Sequence, residues 1–174
     1  SPAVKSIFDE MGGYLSGELE ASGPIEQLDI KSRRLRIDNG LLSIAFTKVP
    51  YSLDGELSID NKGIHFQDIA LKDRYNGSGI ISGGIEYDHF KNMRMKTRIR
   101  LENMECINTG INDNSLFYGH IFGSGRLGIS GPFNALLLDI DATTVKEGSF
   151  SFPISSSGSV NSNELLSFKE PMHE

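Results

Sequence analysis

Tryptophan is absent from this 174-residue chain, and cysteine occurs once, at Cys106. A single thiol excludes an internal disulfide and any zinc site built on a cysteine cluster. When buried, such a thiol acts as a small hydrophobe. No apolar run approaches the ~20 residues of a membrane helix. Positive charge is in deficit, with 17 Lys and Arg against 23 Asp and Glu, so the net charge of −6 argues against a dedicated nucleic-acid binder. Catalytic signatures are missing too. No G-x-S-x-G nucleophile elbow occurs. Gly123-Ser-Gly-Arg-Leu-Gly128 has the spacing G-x-G-x-x-G, but only strand-like residues and a Ser-Gly-Pro corner follow it, where a dinucleotide site needs a helix. His65, His89, His120 and His173 sit in four different segments without metal-ligand spacing, so each reads as a solvated side chain. The chain is not expected to be an enzyme, and no cofactor or metal is expected.

What the chain does contain is glycine, 19 residues of it, and an apolar pattern of period two. One phrase occurs twice. Gly17, Leu19, Ser22, Gly23, Pro24 and Leu28 recur without a gap as Gly125, Leu127, Ser130, Gly131, Pro132 and Leu136. The offset is 125 − 17 = 108 residues, and it continues to Gly40 and Gly148, with Leu42 and Ile44 matched by Phe150 and Phe152. Each copy reads as strand, Ser-Gly-Pro corner, strand. Repetition of such a unit suggests a body built by stacking, although two ordinary hairpins also resemble each other.

Residues 1–13 carry the one helix pattern. Ser1 suits the cap, Pro2 the first helical position, Val4, Ile7, Phe8 and Met11 form a stripe, and Gly12-Gly13 end it. This amphipathic helix is expected to cover an open end of a sheet or to act as a plug. From Tyr14 to residue 154 the chain reads as one β domain of about eleven strands. Asn39-Gly40 is a strong two-residue hairpin signal. Val49–Ile59 is the cleanest strand, with every odd residue apolar or Gly. The apolar parity slips between Phe66 and Ile69, which predicts a bulge. Asp73–Gly77 reads as a turn, and within it Asn76-Gly-Ser78 also fits a glycosylation sequon. Met104–Tyr118 reads as irregular, with one helical turn near its end. Residues 155–174 read as a Ser-, Gly- and Asn-rich linker leading to the start of another strand at Leu165, Leu166 and Phe168. The chain opens on Ser1 rather than Met, so a processed piece of a longer protein is expected, with any leader or anchor outside it.

Strands of this design have one apolar and one polar face, and one short helix cannot cover them all. The sheet must close on itself, form a sandwich, or hold something apolar. Gly17, Gly55, Gly79, Gly83, Gly123 and Gly125 share the apolar face, where glycine marks bending or close approach. Candidate lining residues of an apolar groove are Leu53, Leu57, Ile59, Ile81, Ile85, Met95, Ile99, Ile121, Leu127, Ile129, Leu138 and Ile140. Mutual packing accounts for any one of them equally well. The outer face of one strand carries Arg94, Lys96, Arg98 and Arg100, a row that either meets anionic head groups or an acidic partner, or simply protects the sheet. Asp139 and Asp141 share a strand face and read as a solvated surface rather than a cation site.

Several stretches carry a family resemblance: the unit Gly17–Pro24, the strand 49–59, Ile69-Ala-Leu-Lys-Asp-Arg-Tyr-Asn-Gly-Ser-Gly-Ile-Ile-Ser-Gly83, and Asn114–Pro132 followed by Ala142-Thr-Thr144. In order and spacing they resemble the carboxy-terminal domain of TamB-like proteins of the AsmA-like superfamily, in the style of Bacteroidetes members, over residues 14–154. The resemblance implies an all-β fold: a long, strongly curved, antiparallel-rich sheet forming an open half-pipe, or β-taco, with a hydrophobic interior. It implies part of an inner-membrane-anchored protein that crosses the periplasm and serves outer-membrane biogenesis. Its partners would be phospholipid acyl chains or amphipathic β-strands and a BamA-like (TamA-type) outer-membrane barrel. The family is defined by pattern, so no catalytic residues follow from it. The alternative drawn from the residues is a closed β-sandwich or barrel acting as a binding or adhesion module.

Overall fold

A computed structural model describes residues 8–113 and 116–153. Ten antiparallel strands form one sheet: β1 (Phe8–Gly17), β2 (Glu20–Ser22), β3 (Asp29–Ile44), β4 (Val49–Asp60), β5 (Gly63–Lys72), β6 (Ser78–Asp88), β7 (Lys91–Thr109), β8 (Tyr118–Pro132), β9 (Leu137–Thr144) and β10 (Ser149–Ser151). From β3 to β8 each strand pairs with its sequence neighbours. β1 and β2 share the outer edge of β3, and β9 and β10 share that of β8. Among the described residues the two edges do not meet, so the sheet is not a barrel, and no second sheet lies over it. The alternative of a closed sandwich or barrel is therefore not what these residues form.

The repeated phrase is a repeated structure. Ser22 pairs with Asp29 and Ala21 with Ile30; 108 residues on, Ser130 pairs with Leu137 and Ile129 with Leu138. In each corner one backbone N–H reaches back to the proline carbonyl, Gln27 to Pro24 and Ala135 to Pro132, both at 2.9 Å. Gly23 and Gly131 take φ of 96° and 107°, values that an L side chain resists. The far end keeps register as well, since Met11–Leu42 matches Gly119–Phe150. β8 with β9 and β10 is thus a second copy of β1 and β2 with β3.

Three sequence expectations are corrected. No helix forms among the described residues of 1–13: Phe8–Gly17 is strand β1, and residues 1–7 lie outside the described chain. A stripe of that length is a marginal helix on its own, and the ladder offered by β3 wins. Asn39-Gly40 does not turn the chain. Asn39, at φ 51°, forms a bulge inside the continuous strand β3, and the register shifts by one against both neighbours. Met104–Thr109 is not irregular but completes β7, and Tyr118 opens β8. Bulges on either side of Met104 reverse the apolar parity there and hide the strand. The bulge expected after Phe66 is present, with Asp68 at φ 50°. Residues 154–174, with the expected linker and strand start, lie outside the described chain.

The core lies on one face of β4–β7, where Val49, Tyr51, Ile69, Leu71, Ile81 and Met104 are buried together. Fully buried side chains such as Val49 and Met104 contribute about 1.5–3 kcal/mol each. A flat sheet would hold β4 and β7 about 14 Å apart, three strand spacings. Instead the Asn108 N–H donates to the Thr47 carbonyl at 2.8 Å, and the Tyr51 hydroxyl donates to the Glu105 carbonyl at 2.7 Å. At the opposite end His89, in the β6–β7 turn, approaches Asp29 of β3 at 3.6 Å. Gly83 allows close passage: its φ is 104°, and a Cβ there would strike the Lys96 carbonyl.

Gly83→Ala is expected to cost about 1–3 kcal/mol, measured by urea unfolding. Burial raises the Tyr51 pKa well above its ordinary value. The unfolded chain therefore loses that proton first, and the stability it contributes is complete below about pH 10 and falls as the pH rises further. Tyr51→Phe should lose about 1–2 kcal/mol at neutral pH, because the buried Glu105 carbonyl loses its donor, and should show a shallower alkaline decline in Tm.

Candidate functional site

Register places all twelve candidate lining residues on one face. Ile69, Ile81, Ile99, Leu127 and Ile140 stand side by side across five strands. A second row runs Leu35, Leu57, Phe66, Gly83, Thr97, Ile129 and Leu138. A third joins Ile59, Ile64, Ile85, Met95 and Gly131, and a fourth Leu53, Leu71, Gly79 and Leu101. Ile121, opposite Ile107, extends the same face of β8 towards its start. Strand pairing thus turns a period of two into continuous apolar bands that cross the sheet.

Burial along these bands is graded. Leu57 and Ile81 are buried; Leu53, Ile59, Ile85, Met95, Ile99, Ile121, Leu127 and Ile129 are half-buried. Leu138 and Ile140 at the β9 edge are 56% and 63% exposed, and Met11 and Leu15 at the β1 edge are 62% and 57% exposed. One end of the face carries an aromatic stack. Phe46 of the β3–β4 turn meets Phe117 edge-on at 4.8 Å, and Phe117, Phe150 and Phe152 continue the stack. The result is an apolar surface most buried in the middle strands, bordered by an aromatic stack at one end, and uncovered towards β9.

The basic residues stand on the opposite face. Lys96 lies 3.6 Å from Glu86, whereas Arg94, Arg98 and Arg100 have no ion-pair partner among the described residues. Asp141 is held by Arg126 at 2.6 Å. Among the described residues no group of His, Cys, Asp or Glu is arranged to hold a metal ion.

A buried carboxylate went unrecognised in the sequence. Glu105 has no exposed surface. The Asp73–Gly77 turn folds over it, and Arg74 donates to it twice, Nε to Oε2 at 3.1 Å and Nη2 to Oε1 at 2.8 Å. His120 Nε2 lies 2.8 Å from the same Oε1. The Glu105 N–H donates to Asp73 Oδ2 at 2.6 Å, while Asp73 Oδ1 accepts from Tyr75 and Gly77. Tyr75 and Phe122 pack edge-on at 5.1 Å beside the cluster. The hydrogen bonds to Glu105 raise the Arg74 pKa. Burial likewise raises that of Cys106, which suits an unreactive thiol. The oxygens of Glu105 are occupied, so the group acts as a staple between the β5–β6 turn and β7–β8. His120 is a member of this staple rather than a solvated residue. The contacts span 31 and 15 residues, and their one trace in the sequence is the loss of alternation at Asn103–Glu105.

Fold and site define an all-β protein of one open antiparallel sheet, with one apolar and one polar face. No protein-family model, curated protein or solved structure matches the chain.

Glu105 is buried and Arg74 half exposed, so removing Arg74 takes its charged hydrogen bonds from a carboxylate that keeps His120. Arg74→Met should therefore cost about 1–3 kcal/mol. Adding Glu105→Gln to it should cost less than the sum of the two single changes, a coupling that a double-mutant cycle in urea will read.

Proposed function

We propose that the apolar face is the floor of a half-pipe that carries acyl chains, in a segment of a periplasm-spanning, inner-membrane-anchored protein of outer-membrane biogenesis. The observation that carries this reading is the band Ile69–Ile81–Ile99–Leu127–Ile140, which crosses five strands and ends uncovered. The contacts Thr47–Asn108, Tyr51–Glu105 and Asp29–His89 support curvature towards that face, because each joins elements that a flat sheet keeps apart. Each methylene of a chain laid along the band would contribute about 0.8 kcal/mol. Acyl chains suit a continuous band without polar interruption, and the TamB-like resemblance supplies the cellular setting and a TamA-type barrel as partner.

A second reading, assembly of outer-membrane proteins, rests on a different observation. Among the described residues no strand pairs with the outer edges of β1 and of β9, which can accept an amphipathic strand.

The test is site-specific photocrosslinking in vivo from the half-buried band. A probe at Leu127 should capture phospholipid, and Ile85→Asp or Ile99→Arg should abolish capture while the far-ultraviolet circular dichroism of the purified protein stays that of a sheet. Unchanged lipid capture in a folded variant would overturn the reading. Capture of protein alone would favour strand cargo.

A further inference from the structure

We infer that the polar face carries a binding groove for a phosphate group, formed around Arg98 and Arg100 and separate from the apolar face. A concavity of about 660 Å³ lies on this side of β5–β9. Its floor is two cross-strand rows: Ile80, Arg100, Arg126 and Asp141, and beside it Ser82, Arg98, Gly128 and Asp139.

Charge in these rows is placed against self-neutralisation. Arg100 stands directly opposite Arg126, a like-charge pair that destabilises a sheet. Arg126 is neutralised by Asp141 on its far side. Arg100 has only Ile80 as its other neighbour, and Arg98 lies between Ser82 and Gly128. Neither Arg98 nor Arg100 has an ion-pair partner among the described residues, in a chain of net charge −6.

The internal repeat shows what these positions hold elsewhere. Arg126 and Gly128 correspond, 108 residues earlier, to Glu18 and Glu20. Had the second copy kept those residues, one glutamate would face Arg100 and the other Arg98, in register for two salt bridges. At the one place where this strand lies beside the basic row, both acids are replaced. Gly128 is not demanded by the backbone: its φ is not positive, and a Cβ there would meet Asp139 at an ordinary 3.6 Å. Its lack of a side chain keeps the floor beside Arg98 open.

Two guanidinium groups two residues apart on one strand face, about 7 Å between their Cα atoms, can each offer a fork of donors to the oxygens of a single compact anion. The Ser82 hydroxyl lies beside them. Asp68, Asp139 and Asp141 border the groove and disfavour an extended polyanion such as nucleic acid or a long acidic peptide, which leaves a compact anion held by Arg98 and Arg100. Ile80, 43% exposed, gives the groove an apolar shoulder suited to a phosphate ester. The same chemistry is met by a soluble phosphate ester or by a phospholipid head group.

The experiment is titration of the ¹⁵N-labelled protein with inorganic phosphate and with glycerol 3-phosphate, in constant chloride, following backbone amide shifts. Saturable shifts at Ser82, Arg98 and Gly128 are expected. They should weaken about tenfold or more in Arg98→Gln/Arg100→Gln and in Gly128→Glu, which restores the acid of the first copy. Sedimentation with phosphatidylglycerol and with phosphatidylcholine vesicles identifies the source. Vesicle binding lost in both variants assigns a head group, and phosphate binding without vesicle binding assigns a soluble ester. No saturable shift, equal shifts in wild type and variants, or binding of an acidic peptide but not of phosphate would overturn the inference. Ile99 and Leu127, between the two rows on the same strands, also line the concavity, so lipid capture is read for this comparison from a probe at Met95, which does not line it and can fail or succeed independently.

Discussion

Among the described residues a single layer of sheet has no second layer against which to bury its apolar face, and the rest of the structure answers to that constraint. The face can be desolvated only by bending towards itself or by accepting something from outside. A few contacts of long reach join elements that lie apart along the sheet. Tyr51 crosses to the Glu105 carbonyl, and Asn108 bonds Thr47 backbone to backbone. Both lie beside the most deeply buried residues, Val49 and Met104. The Glu105 staple works on the other face of the same strand, where Arg74, His120 and the Asp73 turn grip β7 from outside. One stretch of β7, residues 104–108, is therefore held from both sides, and burial decreases away from it towards β9.

Bulges have to be reconciled with a continuous apolar face. An extra residue in one strand reverses its alternation, so each bulge must be matched by a shift in the sequence pattern. The slip at Phe66–Ile69 does this in β5, and the shifts around Met104 do it in β7. The internal repeat shows the same requirement met in two ways. In the first copy β3 takes up extra residues at Ser32–Leu35 and Ile37–Gly40. In the second, the offset between the β8–β9 and β8–β10 ladders is absorbed by the turn between β9 and β10, and β8 remains unbroken. Hairpin register survives in both because the Ser-Gly-Pro corner, with its one backbone bond and one positive-φ glycine, is the same.

Much of the fold was legible in the residues. Strand β4 ends one residue beyond the alternation Val49–Ile59, and the bulge after Phe66 stands where parity slips. The twelve residues expected on one face share it, because alternation is a local property of an extended chain. The errors share a cause. Val4, Ile7, Phe8 and Met11 fit a helix until the edge of β3 is present to pair with Phe8–Gly17. Asn39-Gly40 is a strong hairpin dipeptide, yet a left-handed Asn serves a bulge as well as a turn, and only the neighbouring strands decide between them. The Glu105 cluster left almost no trace, since its partners come from a turn and a strand far away in sequence.

By itself, the sequence determined which residues alternate, where the Ser-Gly-Pro corners fall, and that a 108-residue spacing relates two hairpins. These are short-range properties, set by side-chain polarity and by the φ that each residue tolerates. Tertiary structure decided that the strands join as one open sheet, that the apolar bands line up from β3 to β9, and that Glu105 is buried under Arg74 and His120. It also decided that Arg98 and Arg100 face glycine and arginine in place of acid. Register between strands depends on the closure of every turn and bulge before it, and no local pattern carries that sum.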